Sequence, residues 1–438
     1  MRQAVKSFIV LWVLMVLGSF LYPATAQVDS TFRFYFYDQR YSLFQQLPDT
    51  PGEIIMLGNS ITNGGNWQEL FNNPKVKNRG ISGDNTFGIL NRIHEVTASA
   101  PEKIFILIGI NDLSKETPVE VILNNYRLIV EKILAASPQT RIYLQSVLPT
   151  NNEFDHFPRA QNKDHLIRQV NAGIEQIAMD FNQTFIDLYP HFLDEQGKLS
   201  SAYTNDGLHL MGEGYVLWAN LLRPYLEDNP TDYHSQPVNN SGLYYERRKQ
   251  IHESVVVPPN AIVMLGNSIT EHGLWNELLP GKTIVNRGIG GDNIAGMIHR
   301  LPHMLEKKPS TLVVMGGVNN ILFHDATPEY IEQYMEELII RVMELSPDTR
   351  IILQSILPVN EIVANDKEVL KNRHTIITRS NERLSRLAER YDVTWVDLHA
   401  LFTDAFGRLD RSLTTDGIHL NGEGYKLWAG KLLMILDE

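Results

Sequence analysis

Ile54-Ile55-Met56-Leu57-Gly58-Asn59-Ser60-Ile61-Thr62 sets an unbroken apolar run directly before a Gly, an Asn and a Ser. A short run of that kind suits a fully buried strand, and the small polar residues after it suit a tight turn into a helix. A Ser at such a turn lies at a sheet edge, near a helix amino end whose dipole favours developing negative charge. It serves equally well as a helix N-cap, the commoner role for Ser in this setting.

The stretch occurs twice. Gly58-Asn59-Ser60-Ile61-Thr62 returns unchanged as Gly266-Asn267-Ser268-Ile269-Thr270, 208 residues on. Asn78-Arg79-Gly80-Ile81 returns as Asn286-Arg287-Gly288-Ile289, and Gly109-Ile110-Asn111 as Gly317-Val318-Asn319. Leu144-Gln145-Ser146 matches Leu353-Gln354-Ser355, and Asp206-Gly207-Leu208-His209-Leu210 matches Asp416-Gly417-Ile418-His419-Leu420. Trp67 and Trp218 pair with Trp275 and Trp428. Five blocks in one order establish a duplication, and a period this long is a whole domain rather than a solenoid unit. The repeat divides the chain into residues 31–226 and 242–438. Between them, 227–241 is rich in Asp, Asn, Pro and Ser and reads as a solvated linker.

Each half alternates apolar runs with amphipathic stretches. Ile54–Leu57, Ile104–Ile108, Arg141–Val147 and Thr184–Leu188 read as strands, and Val119–Ala135 and Lys163–Phe181 as helices. Ile262–Leu265, Thr311–Met315 and Arg350–Ile356 repeat the strands. The alternation predicts α/β domains with parallel sheets. Ligands on such sheets bind beyond the strand carboxyl ends, where the repeated blocks fall.

Arg2 and Lys6, the apolar run Phe8 to Leu21 and Ala24-Thr25-Ala26 have the layout of a secretory signal peptide over residues 1–26. The run is short for a membrane anchor, which needs ~20 residues. A secreted or periplasmic protein without stable membrane insertion is expected. With no Cys, the chain has no disulfides, no thiolate metal ligands and no Cys nucleophile. The net charge of −12 opposes binding to nucleic acid.

His209 lies three residues after Asp206, so the carboxylate can accept from one ring nitrogen and leave the other to take a Ser proton. A helix-capping Asp with a packed His is the alternative. Recurrence of the set as Ser268, Asp416 and His419 favours chemistry. Gly83 and Asn111, each in a loop after an apolar run, suit oxyanion donation or ordinary turns. Gly281-Lys282-Thr283 lacks the first Gly of a phosphate loop, and His94-Glu95 and His252-Glu253 lack the second His of a zinc helix. No cofactor and no metal are expected.

The order Gly-x-Ser, Asn-x-Gly-x-x-Gly-Asp, Gly-x-Asn, Asp-x-x-His resembles the four blocks of the SGNH hydrolase (GDSL esterase/lipase) superfamily. The likeness is greatest to platelet-activating-factor acetylhydrolase-like and carbohydrate O-acetylesterase members, and it covers nearly all of both halves. It implies two tandem flavodoxin-like three-layer α/β/α domains, each on a five-stranded parallel sheet. It implies Ser60, Asp206 and His209 as catalytic, with Gly83 and Asn111 in the oxyanion hole. In the second half these become Ser268, Asp416 and His419, with Gly291 and Asn319. The Asp common before the Ser is Asn59 or Asn267 here, which leaves the hydrogen bonding of the turn open. The third block ends in Asp112 in one half and Asn320 in the other, and Asn63-Gly64 faces Glu271-His272. The expected activity is hydrolysis of short acyl esters, acetyl above all, on glycans such as O-acetylated sialic acid, through an acyl-enzyme. A lysophospholipase or short-chain lipid esterase, or one active half beside a glycan-binding half, are the alternatives.

Overall fold

The computed structural model describes residues 29–226, 242–364 and 367–437. The expected signal peptide and the expected linker lie outside the described residues. In the first half the strands are β1 Ile54–Gly58, β2 Val76–Gly80, β3 Lys103–Leu107, β4 Arg141–Gln145 and β5 Thr184–Ile186, in the order β2-β1-β3-β4-β5. The second half repeats this with β6 Ile262–Gly266, β7 Ile284–Gly288, β8 Thr311–Met315, β9 Arg350–Gln354 and β10 Thr394–Val396. Every strand pairing is parallel. Two tandem α/β domains of the expected class result.

Every residue of β1, β3, β6 and β8 is buried, so these strands read as continuous apolar runs. Edge strands β2 and β7 are Val-Lys-Asn-Arg-Gly and Ile-Val-Asn-Arg-Gly. Their polar residues hide them from a hydrophobicity reading. The helices carry an apolar stripe: in Asp164–Asp180 it is Ile167, Val170, Ile174 and Ile177. Chain order reverses between β1 and β3, and ligands bind at the strand carboxyl ends beside such a switch point.

The first helix of each half is exchanged. Helix Tyr35–Phe44 packs on helix Gly422–Leu436 of the other half. Its Tyr37, Leu43 and Phe44 join the second half's core. Gln39 donates to Leu420 O at 2.9 Å, Arg40 to His272 O at 2.6 Å, and Ser42 Oγ accepts from Gly422 N at 3.0 Å. Reciprocally, helix Leu243–Glu253 packs on Gly212–Leu226 and puts Ile251 into the first core. There Arg248 donates to Gly64 O at 2.6 Å, and Leu243 O accepts from Asn205 at 2.9 Å. Two buried ion pairs, Arg79 with Glu277 at 3.0 Å and Arg287 with Glu69 at 2.7 Å, complete a pseudo-twofold seam.

Candidate active site

β1 ends at Gly58, and Ser60 opens the short helix Ser60–Asn63. Close packing requires Gly58: a Cβ there would stand 2.3 Å from Leu107 O. Asn59 caps the turn, its Oδ1 accepting from Ile61 N at 3.0 Å, and Asn267 does the same for Ile269 N at 3.0 Å. Asn59 and Asn267, at the place where the resemblance leads one to expect Asp, therefore supply a neutral cap. Tyr215 OH donates to Ile61 O at 2.7 Å and Trp67 Nε1 to Thr62 O at 2.7 Å. Trp67 packs edge-on against Trp218 at 4.7 Å, and Trp275 against Trp428 at 4.6 Å. The repeated tryptophans thus hold the serine turn.

The loop before helix Gly212–Leu226 brings His209 to Ser60, with Nε2 3.0 Å from Oγ. Nδ1 lies 2.9 Å from Asp206 Oδ2, while Asp206 Oδ1 accepts the N–H groups of Leu208 and His209 at 2.9 and 2.8 Å. A carboxylate on Nδ1 fixes the tautomer and leaves Nε2 to accept the serine proton. In the second half His419 Nε2 is 2.9 Å from Ser268 Oγ, and Nδ1 is 2.7 Å from Asp416 Oδ2. Burial acts to raise Asp206, but its bonds to His209 and the nearby Arg247 outweigh this and hold it well below the usual carboxylate range. Burial likewise opposes ionisation of Asp416, and the hydrogen bond from His419 carries it below its ordinary value. His209 is held below the ordinary imidazole value, chiefly by burial.

Asn111 and Asn319 are fixed alike: each side-chain amide donates at 2.8 Å to the carbonyl of Asp84 or Asp292. Each of those aspartates is locked in a buried pair with Arg92 or Arg300, at 2.9 and 2.7 Å. Gly83 and Gly291 have φ of +85° and +77°, a conformation that disfavours any side chain. The structure therefore joins the expected Ser, His and Asp in each half and places Gly83 and Asn111 on one cavity with Ser60 and His209.

The first site opens on a cleft that His419 of the second site also reaches. A cavity of about 600 Å³ is lined by Ser60, Gly83, Asn111 and His209 and by Tyr244, Arg247, Glu271, His272 and His419. Phe157 stands edge-on to His209 at 4.9 Å and is 44% exposed. The halves differ around this cavity. Asn63 donates to Ser82 Oγ at 3.3 Å in the first. In the second, Glu271 accepts from Gly290 N at 2.6 Å and Tyr244 OH at 2.7 Å and pairs with Arg248 at 2.6 Å. The sequence suggests Glu271 and His272 as partners for sugar hydroxyls, yet Glu271 is engaged within the protein. The His272 ring lies 5.3 Å from His419, and burial keeps it neutral.

Sequence reasoning misses Arg247, whose Nη1 lies 2.6 Å from Asp206 Oδ2. No local motif marks it. Its counterpart across the repeat is Gln39, so the duplication itself gives no signal. Among the described residues, no group of acidic and His side chains has the arrangement of a metal site, and no helix is long and apolar enough to cross a membrane.

Residues 56–217 and 264–427 each match the GDSL-like Lipase/Acylhydrolase family. Over 177 residues, 38% of this chain and 72% of the relative, the chain is 28% identical to platelet-activating factor acetylhydrolase IB subunit alpha2 of Rattus norvegicus. Over 180 residues it is 29% identical to N-acylneuraminate cytidylyltransferase of Escherichia coli, spanning 39% of this chain and 40% of that relative. Among solved structures, a GDSL-like lipase of Bacteroides thetaiotaomicron aligns with a TM-score of 0.39 at 26% identity, covering 44% of this chain and 98% of that one. The two family matches span most of the chain, which therefore belongs to the GDSL-like lipase/acylhydrolase family within the SGNH hydrolase superfamily, carries its domain twice, and is a hydrolase acting on esters.

Proposed function

We propose that the protein is an exported O-acetylesterase that removes acetyl groups from carbohydrates, with a serine nucleophile in each half. The observation that carries this reading is the unbroken chain from Ser60 Oγ through His209 to Asp206, repeated at Ser268. His209 takes the Ser60 proton as Oγ attacks the acyl carbonyl. The N–H groups of Ser60 and Gly83 and the Asn111 amide receive the oxyanion. Collapse expels the alcohol, protonated by His209, and leaves acyl-Ser60. Water, deprotonated by the same His209, releases the acid. Ser268, His419, Gly291 and Asn319 act likewise.

The acetyl assignment draws support from the acetylhydrolase named among the relatives, and the carbohydrate assignment from the relative named for N-acylneuraminate. A short-chain lipid esterase is the second reading, favoured by the aromatic wall of Phe34, Phe36 and Phe157. Hydrolysis of a panel of O-acetylated sugars, compared with acetylated and longer-chain lipids, separates the two. Turnover confined to lipids overturns the carbohydrate assignment.

A further inference from the structure

The two triads are alike in every side chain yet differ in what stands behind the aspartate. Behind Asp206 is Arg247, carried on the helix Leu243–Glu253 of the other half. Its Nη1 lies 2.6 Å from Oδ2, the same oxygen that receives His209 Nδ1 at 2.9 Å. The arginine is 12% exposed along its side chain, and its guanidinium rests 5.2 Å from the Tyr244 ring centre. At the matching place behind Asp416 the exchanged helix Tyr35–Phe44 presents Gln39, which carries no charge and donates to Leu420 O at 2.9 Å.

We propose that Arg247 is a positioning residue of the first site, supplied by the second half: it pins the Asp206 carboxylate behind His209 and keeps His209 free of a second proton at lower pH. The proposal rests on the reading of Ser60, His209 and Asp206 as a catalytic set. A fixed cation beside the carboxylate opposes a positive charge on the imidazole next to it. It also holds the carboxylate by a charge-assisted hydrogen bond in the orientation that selects the Nδ1–H tautomer.

The groups facing this pair are few. Thr204 Oγ1 approaches Asp206 Oδ1 at 3.4 Å, and the N–H groups of Leu208 and His209 bond the same oxygen. Ser60 and Phe157 meet the His209 ring. Tyr215 OH is engaged with Ile61 O. Of the other charged side chains on the cleft wall, which include Arg40, Glu69 and Glu277, Arg248 and Glu271 neutralise each other at 2.6 Å. Arg247 is thus the cation that bears directly on the triad. Burial, the largest influence, already holds His209 below its ordinary value; the Asp206 bond opposes this, and the Arg247 charge adds to it.

The test uses the full chain carrying Ser268→Ala, so that turnover reports the first site. His209 ionisation is followed by NMR of its ring protons, assigned with His209→Asn, beside the pH profile of kcat/KM on a chromogenic acetate ester. Arg247→Gln, which copies Gln39, is expected to raise the His209 titration and the acid limb by roughly one pH unit. It is also expected to lower kcat several-fold. Arg247→Lys keeps the charge and is expected to hold the titration near that of the parent. Arg247→Met serves the same comparison if the Gln variant does not fold. A titration that stays in place or falls in the Gln or Met variant overturns the proposal. The NMR arm decides this whether or not the first site turns over. Loss of all esterase activity in Ser268→Ala would instead count against the first half as an enzyme.

Discussion

Glu277 of the second half grips Arg79 of the first with both carboxylate oxygens, at 3.2 and 3.0 Å, and both side chains are buried. Glu95 holds the same guanidinium at 3.0 Å from the other side. Removing one member of a buried pair costs about 3–5 kcal/mol when the partner is left alone, and Glu95, still on Arg79, offsets part of that here. Glu277→Ala is therefore expected to lower the thermal midpoint of the whole chain markedly. An exposed substitution such as Glu306→Ala, at a surface pair with Lys307, is expected to change it little. Equal midpoints for the two variants would show that the seam contributes nothing.

Serine chemistry in each half predicts partial loss in the single variants and near-complete loss in the double. Ser60→Ala and Ser268→Ala are each expected to keep part of the activity on a panel of acetyl esters. The double variant is expected to lose at least ~10³-fold in kcat. A fluorophosphonate probe should then leave no adduct on either position. If Ser60→Ala alone silences a folded protein, the second half acts as a binding module rather than an enzyme.

A cavity that reaches both Ser60 and His419, the partner of Ser268, predicts that probe size decides stoichiometry. A small fluorophosphonate is expected to modify Ser60 and Ser268 on the same molecule. A bulky biotin-linked probe, once attached in the cavity of about 600 Å³ shared by Ser60 and His419, is expected to exclude the second. Intact-mass measurement separates the two cases. Double adducts with the bulky probe would mean that the openings are independent.

The third block supplies a pH prediction. Asp112 is buried against Thr86, and burial pushes its carboxyl up to about 7. In the unfolded chain the same group ionises near pH ~4, so between ~4 and ~7 the folded state holds the extra proton. Stability from this group therefore falls as pH rises through that window. The second half has Asn320 and Ile294 at these positions, with Asn320 Oδ1 accepting from Ile294 N at 3.2 Å. Asp112→Asn is expected to stabilise the protein at pH 8 by on the order of 1–3 kcal/mol and to leave it little changed at pH 4. Thermal midpoints at the two pH values check this, and no gain at pH 8 would refute it.

The fold and both Ser-His-Asp sets were readable because duplication printed each block twice. Ser60 alone is indistinguishable from a helix cap, and Asp206 with His209 is a common spacing. Their joint return as Ser268, Asp416 and His419 carried the reading. β2 and β7 escaped because an edge strand tolerates Lys77, Asn78 and Arg79, and such residues break the apolar signal. The helices Tyr35–Phe44 and Leu243–Glu253 escaped for another reason. What identifies them is the surface of the opposite half, and local sequence holds no record of a partner in the other repeat. Arg247 was hidden in the same way, since its role depends on a carboxylate supplied by the other repeat.

The exchanged helix also sets an order of events during synthesis. Gln39 leaves the ribosome early, whereas its acceptor Leu420 follows 381 positions later. At ~5–20 residues per second, the helix Tyr35–Phe44 waits roughly 20–80 s for its docking surface. The part of Tyr37, Leu43 and Phe44 that packs into the second half's core lacks that cover during the interval. The nascent first half is consequently a natural client for a holding chaperone, and the last helix to emerge acts as the clasp that ends this exposure.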